Sequence, residues 1–454
     1  MDVLIDRVAG LDVHRDTVVA AVRVGGRGGG RRGEVRTFAT TGAGLTRLAG
    51  WLSEQRVSLV GMESTPDYWR PFYYLLEARG LTVWLVNARD VKNVPGRPKT
   101  DKLDAIWLAK LNERGMLRPS FVPPPEIREI RNLTRLRLDL TAECTRHRLR
   151  VEKLLEDALI KLSTVLSDIF GVSGRAMLDA LVAGERDPKK LAALARGRVK
   201  ATQAELATAL TGQFTEHHGY LLSVLLAQID GLDRRIAELT ERIDTAIAAL
   251  PAPAHAAADA ARGGETGPDG DATTGTGQGG GGAAARPGLD ILDRLDEIPG
   301  IARHAAQVII AEIGTDMAQF PTSGHLNSWA KLTPQTIQSG AKSRTGRTGK
   351  GNPYLRGALG EAAMAAAKTK TFLGSRYRRL VKRRGHLKAL VAVARSILTI
   401  VWHLLNDPTA RFHDLGVDYH ASLQSRERRK RNALRELKSL NLSAQEITAL
   451  LAAA

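Results

Sequence analysis

Three β-branched runs fall within the first forty residues, and they leave few folds open. Val8-Ala-Gly-Leu-Asp-Val13 reads as a strand with Asp12 near its end, and Thr17 to Val24 reads as a second. Only His14-Arg15-Asp16 separates them, which leaves room for a tight antiparallel turn and nothing more. A basic, glycine-rich loop, Gly25 to Gly33, then leads to a third strand around Val35 to Ala39. That loop could cradle a phosphate or tip a hairpin. No helix N-terminus follows it to face a phosphate, so the hairpin is favoured. Next come a helix near Gly44 to Gln55, the buried-strand run Val57-Ser-Leu-Val-Gly-Met62 with Glu63 directly after it, a helix over Trp69 to Arg79 and a strand over Leu81 to Val86. Hairpins followed by strand–helix crossovers predict a mixed sheet flanked by helices.

In that layout Asp12 and Glu63 end two strands. A third acidic position follows in Arg97-Pro-Lys-Thr-Asp-Lys-Leu-Asp104, where an apolar run (Ala105, Ile106, Leu108, Ala109) announces a helix. Asp101 and Asp104, three residues apart, would share one face of its first turn. Two readings stay open. Asp101 as N-cap and Asp104 in the first turn would satisfy free N–H groups and the helix dipole. Alternatively, the pair joins Asp12 and Glu63 at one sheet edge. Four carboxylates carry about four negative charges, which two Mg²⁺ ions would balance, held about 4 Å apart across a phosphodiester. Hard carboxylate oxygens suit Mg²⁺ without any His or Cys. The histidines do not fall at zinc-ligand spacing.

Charge points the same way. Lys and Arg total 66 against 48 Asp and Glu, a formal +18, which suggests a polyanionic partner, nucleic acid before an acidic membrane. The single cysteine, Cys144, excludes an intramolecular disulfide framework and suits a reducing cytoplasm. No apolar run approaches membrane-span length, and the acidic start Met1 to Asp6 is unlike a signal peptide, so no membrane partner is expected.

The four acids resemble the RuvC-like, ribonuclease-H-type nuclease domain in its Asp-Glu-Asp-Asp form. More narrowly, Gly10-Leu-Asp-Val-His14, Met62-Glu-Ser-Thr65 and Lys99-Thr-Asp-Lys-Leu-Asp104 resemble the transposases of the insertion sequence 110 family, recombinases guided by a structured bridge RNA. The resemblance implies Asp12, Glu63, Asp101 and Asp104 as catalytic metal ligands.

Phe121-Val-Pro-Pro-Pro125 punctuates the end of this first domain. Beyond it Leu133, Leu136, Leu140, Val151, Leu155, Ala158, Leu162 and Val165 recur at helical spacing. Leu225, Ile229, Leu232, Ile236, Leu239 and Ile243 alternate spacings of four and three, a coiled-coil seam. An intramolecular helical hairpin and pairing between subunits fit that seam equally; the resemblance favours subunit pairing into a dimer or tetramer. Pro251 to Gly288 is Ala-, Gly- and Thr-rich and reads as a flexible linker.

Leu295-Asp-Glu-Ile-Pro-Gly-Ile301 before Ala305 to Ile313 fits half of a helix-hairpin-helix or a plain turn between helices. The most specific wording follows: Ser328-Trp-Ala-Lys-Leu-Thr-Pro334, Gln338-Ser-Gly-Ala-Lys342 and Arg347-Thr-Gly-Lys-Gly-Asn-Pro-Tyr-Leu-Arg356. It resembles the C-terminal transposase domain of the same family. Ser339 stands on a turn rich in Lys342, Arg344, Arg347 and Lys350, cations that could stabilise phosphorane charge. A polar turn serine is the alternative. The resemblance implies Ser339 as the nucleophile, with Ser328 and Ser343 in reserve. Asn352 and Arg356, and the cluster with Arg378, Arg379, Lys382 and Arg383, complete the expected phosphate contacts.

The expected organisation is therefore α/β plus all-α: a RuvC-like domain over 1–125, helical coiled-coil region over 126–250, linker over 251–288, mostly helical transposase domain over 289–405 and basic helical tail over 406–454. The expected function is a DNA recombinase acting on donor and target DNA under a bridge RNA, in the cytoplasm at the nucleoid. A hydrolytic nuclease or junction resolvase using only the acids, and a non-catalytic nucleic-acid scaffold, are the competing classes.

Overall fold

A computed structural model of the chain describes residues 4–25, 30–64, 67–87, 100–197, 199–251, 290–340, 342–419 and eight single positions in the tail. The expected linker after Pro251 and most of the basic tail lie outside the described residues, as do Arg97 to Lys99. The chain divides into two compact units, Met1–Val122 and Pro123–Ala454.

The first unit is the mixed sheet. Its strands are β1 (Val8–Val13), β2 (Thr17–Gly25), β3 (Arg31–Ala39), β4 (Leu59–Glu63) and β5 (Thr82–Val86), in the order β3-β2-β1-β4-β5. β2 runs antiparallel to both of its neighbours, β1 and β3, while β4 runs parallel to β1 and β5 parallel to β4. The glycine-rich segment does join a hairpin, since β2 and β3 pair out to Gly25↔Arg31. This is the mixed sheet flanked by helices expected from the order of elements.

Alternation along β1 divides the unit into two layers. Ala9, Leu11 and Val13 face one way, into a core with Leu48, Leu52, Phe72 and Leu76 from α1 (Gly42–Glu54) and α2 (Trp69–Ala78). Val8, Gly10 and Asp12 face the other way. There Val8, Val19, Ala21 and Leu59 pack on Ala105 and Ala109 of α3 (Asp101–Glu113). Glycine sets how close this helix can lie. A Cβ on Gly10 would stand 2.3 Å from the Ala105 carbonyl oxygen, and one on Gly61 would meet the Asn112 amide. At the far end of α3, buried Glu113 pairs with Arg23 at 2.5 Å and Arg31 at 3.2 Å, fastening the helix to β2 and β3.

The second unit is helical. α4 (Pro125–Asp157) is followed by the short helices α5 (Leu162–Val165), α6 (Val172–Val182), α7 (Pro188–Ala193) and α8 (Gln203–Ala209), then by α9 (Glu216–Ala248). The periodic run Leu133 to Val165 is thus not one helix. It stops at Asp157, and Leu159 turns left-handed (φ 58°), so that Ile160 and Leu162 enter a core with Leu178 and Leu206. α4 and α9 form an antiparallel hairpin within the chain, with Arg148 on Asp233 (3.0 Å) near its middle and Arg137 on Thr240 further along. In the predicted seam only Ile229 and Ile243 are fully buried; Leu225, Leu232, Ile236 and Leu239 are half-buried.

The remainder comprises α10 (Ile291–Asp296), α11 (Arg303–Ile313), α12 (Ser323–Trp329), the hairpin β6 (Thr336–Ser339) and β7 (Lys342–Thr345), α13 (Pro353–Ala367), α14 (Phe372–Arg384) and α15 (His386–Asn406). Gly300, in the turn before α11, has φ 92° and lies against the α13 backbone at Ala362. α15 corrects one expectation. It has 21 residues and a mean hydropathy of 1.6, enough by length and composition to cross a membrane. Its apolar face instead packs on α12, α13 and α14, as in a core helix.

Candidate active site

The sheet register places the first two acids. Leu11 pairs with Met62, and Asp12 and Glu63 are the next residues on these parallel neighbours. By alternation both continue the face of Gly10 and Gly61, the side covered by α3. Since those glycines let α3 lie close, its first turn carries Asp101 and Asp104 to the same end of the sheet. Their proximity is felt electrostatically: burial raises the Asp12 carboxyl above its ordinary value, His14 opposes the rise, and the charges of Asp101 and Asp104 add to it. Glu63 is 8% exposed.

One half of the alternative reading, Asp101 as N-cap, is overturned by the residue before it, while both acids do stand in the first helical turn. Thr100 is the N-cap of α3, its hydroxyl accepting from Leu103 N at 3.3 Å. The capping task therefore falls to neither acid, and Asp101 keeps a carboxylate that is 65% exposed. A further group completes the cluster. His14 Nε2 lies 3.1 Å from Asp12 Oδ2 and 3.6 Å from Asp101 Oδ2. One ligand atom from each of Asp12, His14 and Asp101 lies within 4.8 Å of the others. The donor set fits a divalent cation, because like charges forced onto one face are relieved by a positive ion among them.

The second group of predicted residues stands on the β6–β7 hairpin. Ser339 ends the exposed strand β6 and pairs with Lys342 across a turn in which Gly340 has φ 56°, a conformation that glycine adopts without strain. Ser343 lies opposite Gln338 on the same hairpin, whereas Ser328 is exposed on α12. Lys342, Arg344, Arg347, Lys350 and Arg356 are all exposed. On α14, Arg378, Lys382 and Arg383 are exposed, and Arg379 is half-buried. Arg378 donates to the Thr369 carbonyl at 2.9 Å.

Asn352 differs from its basic neighbours. Its Oδ1 caps α13 by accepting from Tyr354 N and Leu355 N, and its Nδ2 donates to Glu312 Oε2 at 2.6 Å. Glu312 is fully buried and also takes both Nε and Nη2 of Arg135 at 2.9 Å, with Arg131 at 3.2 Å. This cluster ties α4 and α11 to the end of the basic loop. Sequence reasoning missed it, since Glu312 follows the apolar run Val308 to Ala311 and its arginine partners are some 180 residues earlier.

Residues 9–160 match a family model described as a transposase, the Asp-Glu-Asp-Asp transposase of IS110, and residues 292–378 match one described as "Transposase IS116/IS110/IS902 family". The chain carries IS110-family transposase domains. Their matched segments include Asp12, Glu63, Asp101 and Asp104 in the first and Ser339 in the second. Over 117 residues the chain is 30% identical to an insertion element IS110 uncharacterized 43.6 kDa protein of Streptomyces coelicolor, covering 25% of this chain and 29% of that one. It is 35% identical, again over 117 residues, to the transposase for insertion sequence element IS1111A of Coxiella burnetii, covering 25% and 32%. The chain thus spans about a third or less of the length of these curated relatives. A Thermus thermophilus RuvC structure aligns over 25% of this chain and 99% of its own, with 14% identity and a TM-score of 0.20. Assignment of the fold rests on the strand order rather than on that alignment.

Proposed function

We propose that this chain is a DNA transposase that cuts and rejoins strands using a carboxylate-held divalent cation and the hydroxyl of Ser339. The observation that carries the reading is the meeting of Asp12 and Asp101 at the end of the sheet, with Asp104 acting on Asp12, in a chain that has both transposase domains. Glu63, next in register, completes the set. When bound, Mg²⁺ would offset the charge of these acids and polarise a phosphate oxygen of the DNA.

Ser339 Oγ attacks phosphorus, an O–P bond forms, and the bond to one sugar oxygen breaks, that oxygen leaving with a proton. A second strand's hydroxyl then attacks the phosphoserine, restoring Ser339 and joining the new strand. One ester replaces another at each step, so no ATP is consumed. Lys342, the register partner of Ser339, steadies the added charge on phosphorus, and Arg344, Arg347, Lys350, Arg356, Arg378, Arg379, Lys382 and Arg383 hold the backbone of donor and target DNA.

The resemblance to the insertion sequence 110 transposases supports two further elements of the proposal. Target choice belongs to base pairing with a bridge RNA, while the protein holds backbone and shape. The site is composite, acids from one subunit meeting Ser339 of another in a dimer or tetramer. Leu136, 48% exposed, supports such pairing, since it opens with Leu140 and Leu239 onto a shallow groove beside the α4–α9 hairpin. The complex acts in the cytoplasm at the nucleoid.

The test is incubation of the chain with a DNA junction, Mg²⁺ and the element's flanking RNA, followed by denaturing electrophoresis. A protein–DNA adduct that disappears in Ser339→Ala and in Asp101→Ala is the expected result. Cleavage with no adduct would mean a hydrolytic nuclease, and DNA processing that neither substitution alters would sink the catalytic reading altogether. An adduct surviving Ser339→Ala but lost in Ser328→Ala or Ser343→Ala would move the nucleophile.

A further inference from the structure

His14 begins the loop between β1 and β2, two residues after Asp12. Its backbone N–H donates to the Thr17 carbonyl at 2.9 Å, which closes the loop and fixes where the imidazole starts. The side chain is 46% exposed, so core packing does not account for its position. Nε2 instead spans two carboxylates, 3.1 Å from Asp12 and 3.6 Å from Asp101. Donors around one small cation, each about 2.1 Å from it, lie roughly 3 to 4 Å apart. The 4.8 Å limit observed for these three atoms is within a rotamer adjustment of that spacing.

The donor chemistry then bears on which ion is held. Mg²⁺ takes hard oxygens and keeps its waters, whereas imidazole nitrogen suits transition ions. Mn²⁺ shares the preference of Mg²⁺ for carboxylate and water, and as a transition ion it tolerates a nitrogen donor among them better than Mg²⁺ does. We infer that His14 is a direct metal ligand beside Asp12 and Asp101, and that its nitrogen makes the site select Mn²⁺ over Mg²⁺. The inference rests on the reading of the acids as a metal site, and it changes the expected resident ion from one set by oxygen donors alone.

The test uses the full chain and no DNA. Mn²⁺ binding is followed by electron paramagnetic resonance, Mg²⁺ by its displacement of Mn²⁺, and the ligand type by ¹⁴N modulation in the electron spin echo. The parent should show nitrogen coupling and bind Mn²⁺ more tightly than Mg²⁺. His14→Ala should lose the coupling and weaken Mn²⁺ binding roughly tenfold, leaving Mg²⁺ within about twofold. His14→Gln keeps a hydrogen-bond donor for Asp12, and it should not restore the preference. Full restoration by Gln, or Mn²⁺ bound to the parent with no nitrogen coupling, would overturn the inference while leaving the carboxylate site standing. A parent that binds neither ion would instead remove the metal site itself. Thermal unfolding of both variants should match the parent, since the half-exposed imidazole is not part of the core.

Discussion

Gly10→Ala tests whether the site depends on the close approach of α3 to the sheet. The new Cβ would stand 2.3 Å from the Ala105 carbonyl oxygen, 2.5 Å from Ala109 N and 2.8 Å from Leu108 Cβ. Two of these are backbone atoms of a helix, so no rotamer change relieves them. A comfortable contact needs about 3.5 Å, so the helix must part from β1 by roughly 1 Å. Overpacking of this kind costs about 1 to 3 kcal/mol. The displacement reaches function because the same helix carries Asp101 and Asp104 toward Asp12, and a 1 Å error at a reacting centre can cost on the order of a hundredfold in rate. The assay pairs urea unfolding of the full chain with adduct formation on a DNA junction. Gly50→Ala is the control, because a Cβ there meets nothing within 4 Å in the middle of α1 and should raise stability by about 0.5 to 1 kcal/mol. Gly10→Ala matching the parent in both stability and adduct yield would refute the claim that this contact sets the site.

Two other perturbations have outcomes fixed by the charges involved. Glu312→Gln leaves Arg131 and Arg135 without their buried counter-ion and should cost about 3 to 5 kcal/mol in chemical denaturation, whereas a loss under 1 kcal/mol would show the cluster to be dispensable. Burial alone would raise the Glu113 carboxyl, but Arg23 and Arg31 outweigh it and hold it below its ordinary 4.5. A depressed folded value contributes stability fully above the unfolded value and loses it as pH falls through the folded one. The stability gap between the parent and Glu113→Gln should therefore be widest above pH 4.5 and close below it; a gap constant down to pH 3 would contradict the ion pairing.

Much of the first unit was legible because its signals are local. Alternating Val8 to Val13, the three-residue loop before Thr17 and the apolar run ending at Glu63 each read correctly from a few adjacent residues. What alternation could not supply was the partner of each face. The pattern marks Gly10 and Asp12 as facing the same way, yet only the packed structure shows that α3 lies on that face. The helical unit was harder for a related reason. Along α4, Leu136 is exposed while Thr134 and Arg137 are buried, so apolar periodicity marked one stripe and the chain packs on another. Arg137 is buried because it meets Gln307 at 2.5 Å, a partner 170 residues away that no local window contains.

The two site residues most changed by the structure were changed by small chemical facts rather than by the fold. Asp101 has the residue type of a helix cap, but the Thr100 hydroxyl takes the Leu103 N–H and is the N-cap, which leaves Asp101 in the first turn. Spacing along the chain gives His14 no companion histidine or cysteine at zinc-ligand separation. Its companions are the carboxylate two residues back and one that arrives from a helix 87 positions later. The meeting of those three side chains follows from topology. β1 and its returning loop bring Asp12 and His14 to one end of the sheet, and Gly10 holds α3 low enough for Asp101 to reach them. A substitution that spares every acid but lifts that helix should therefore disturb the site as directly as removing an acid would.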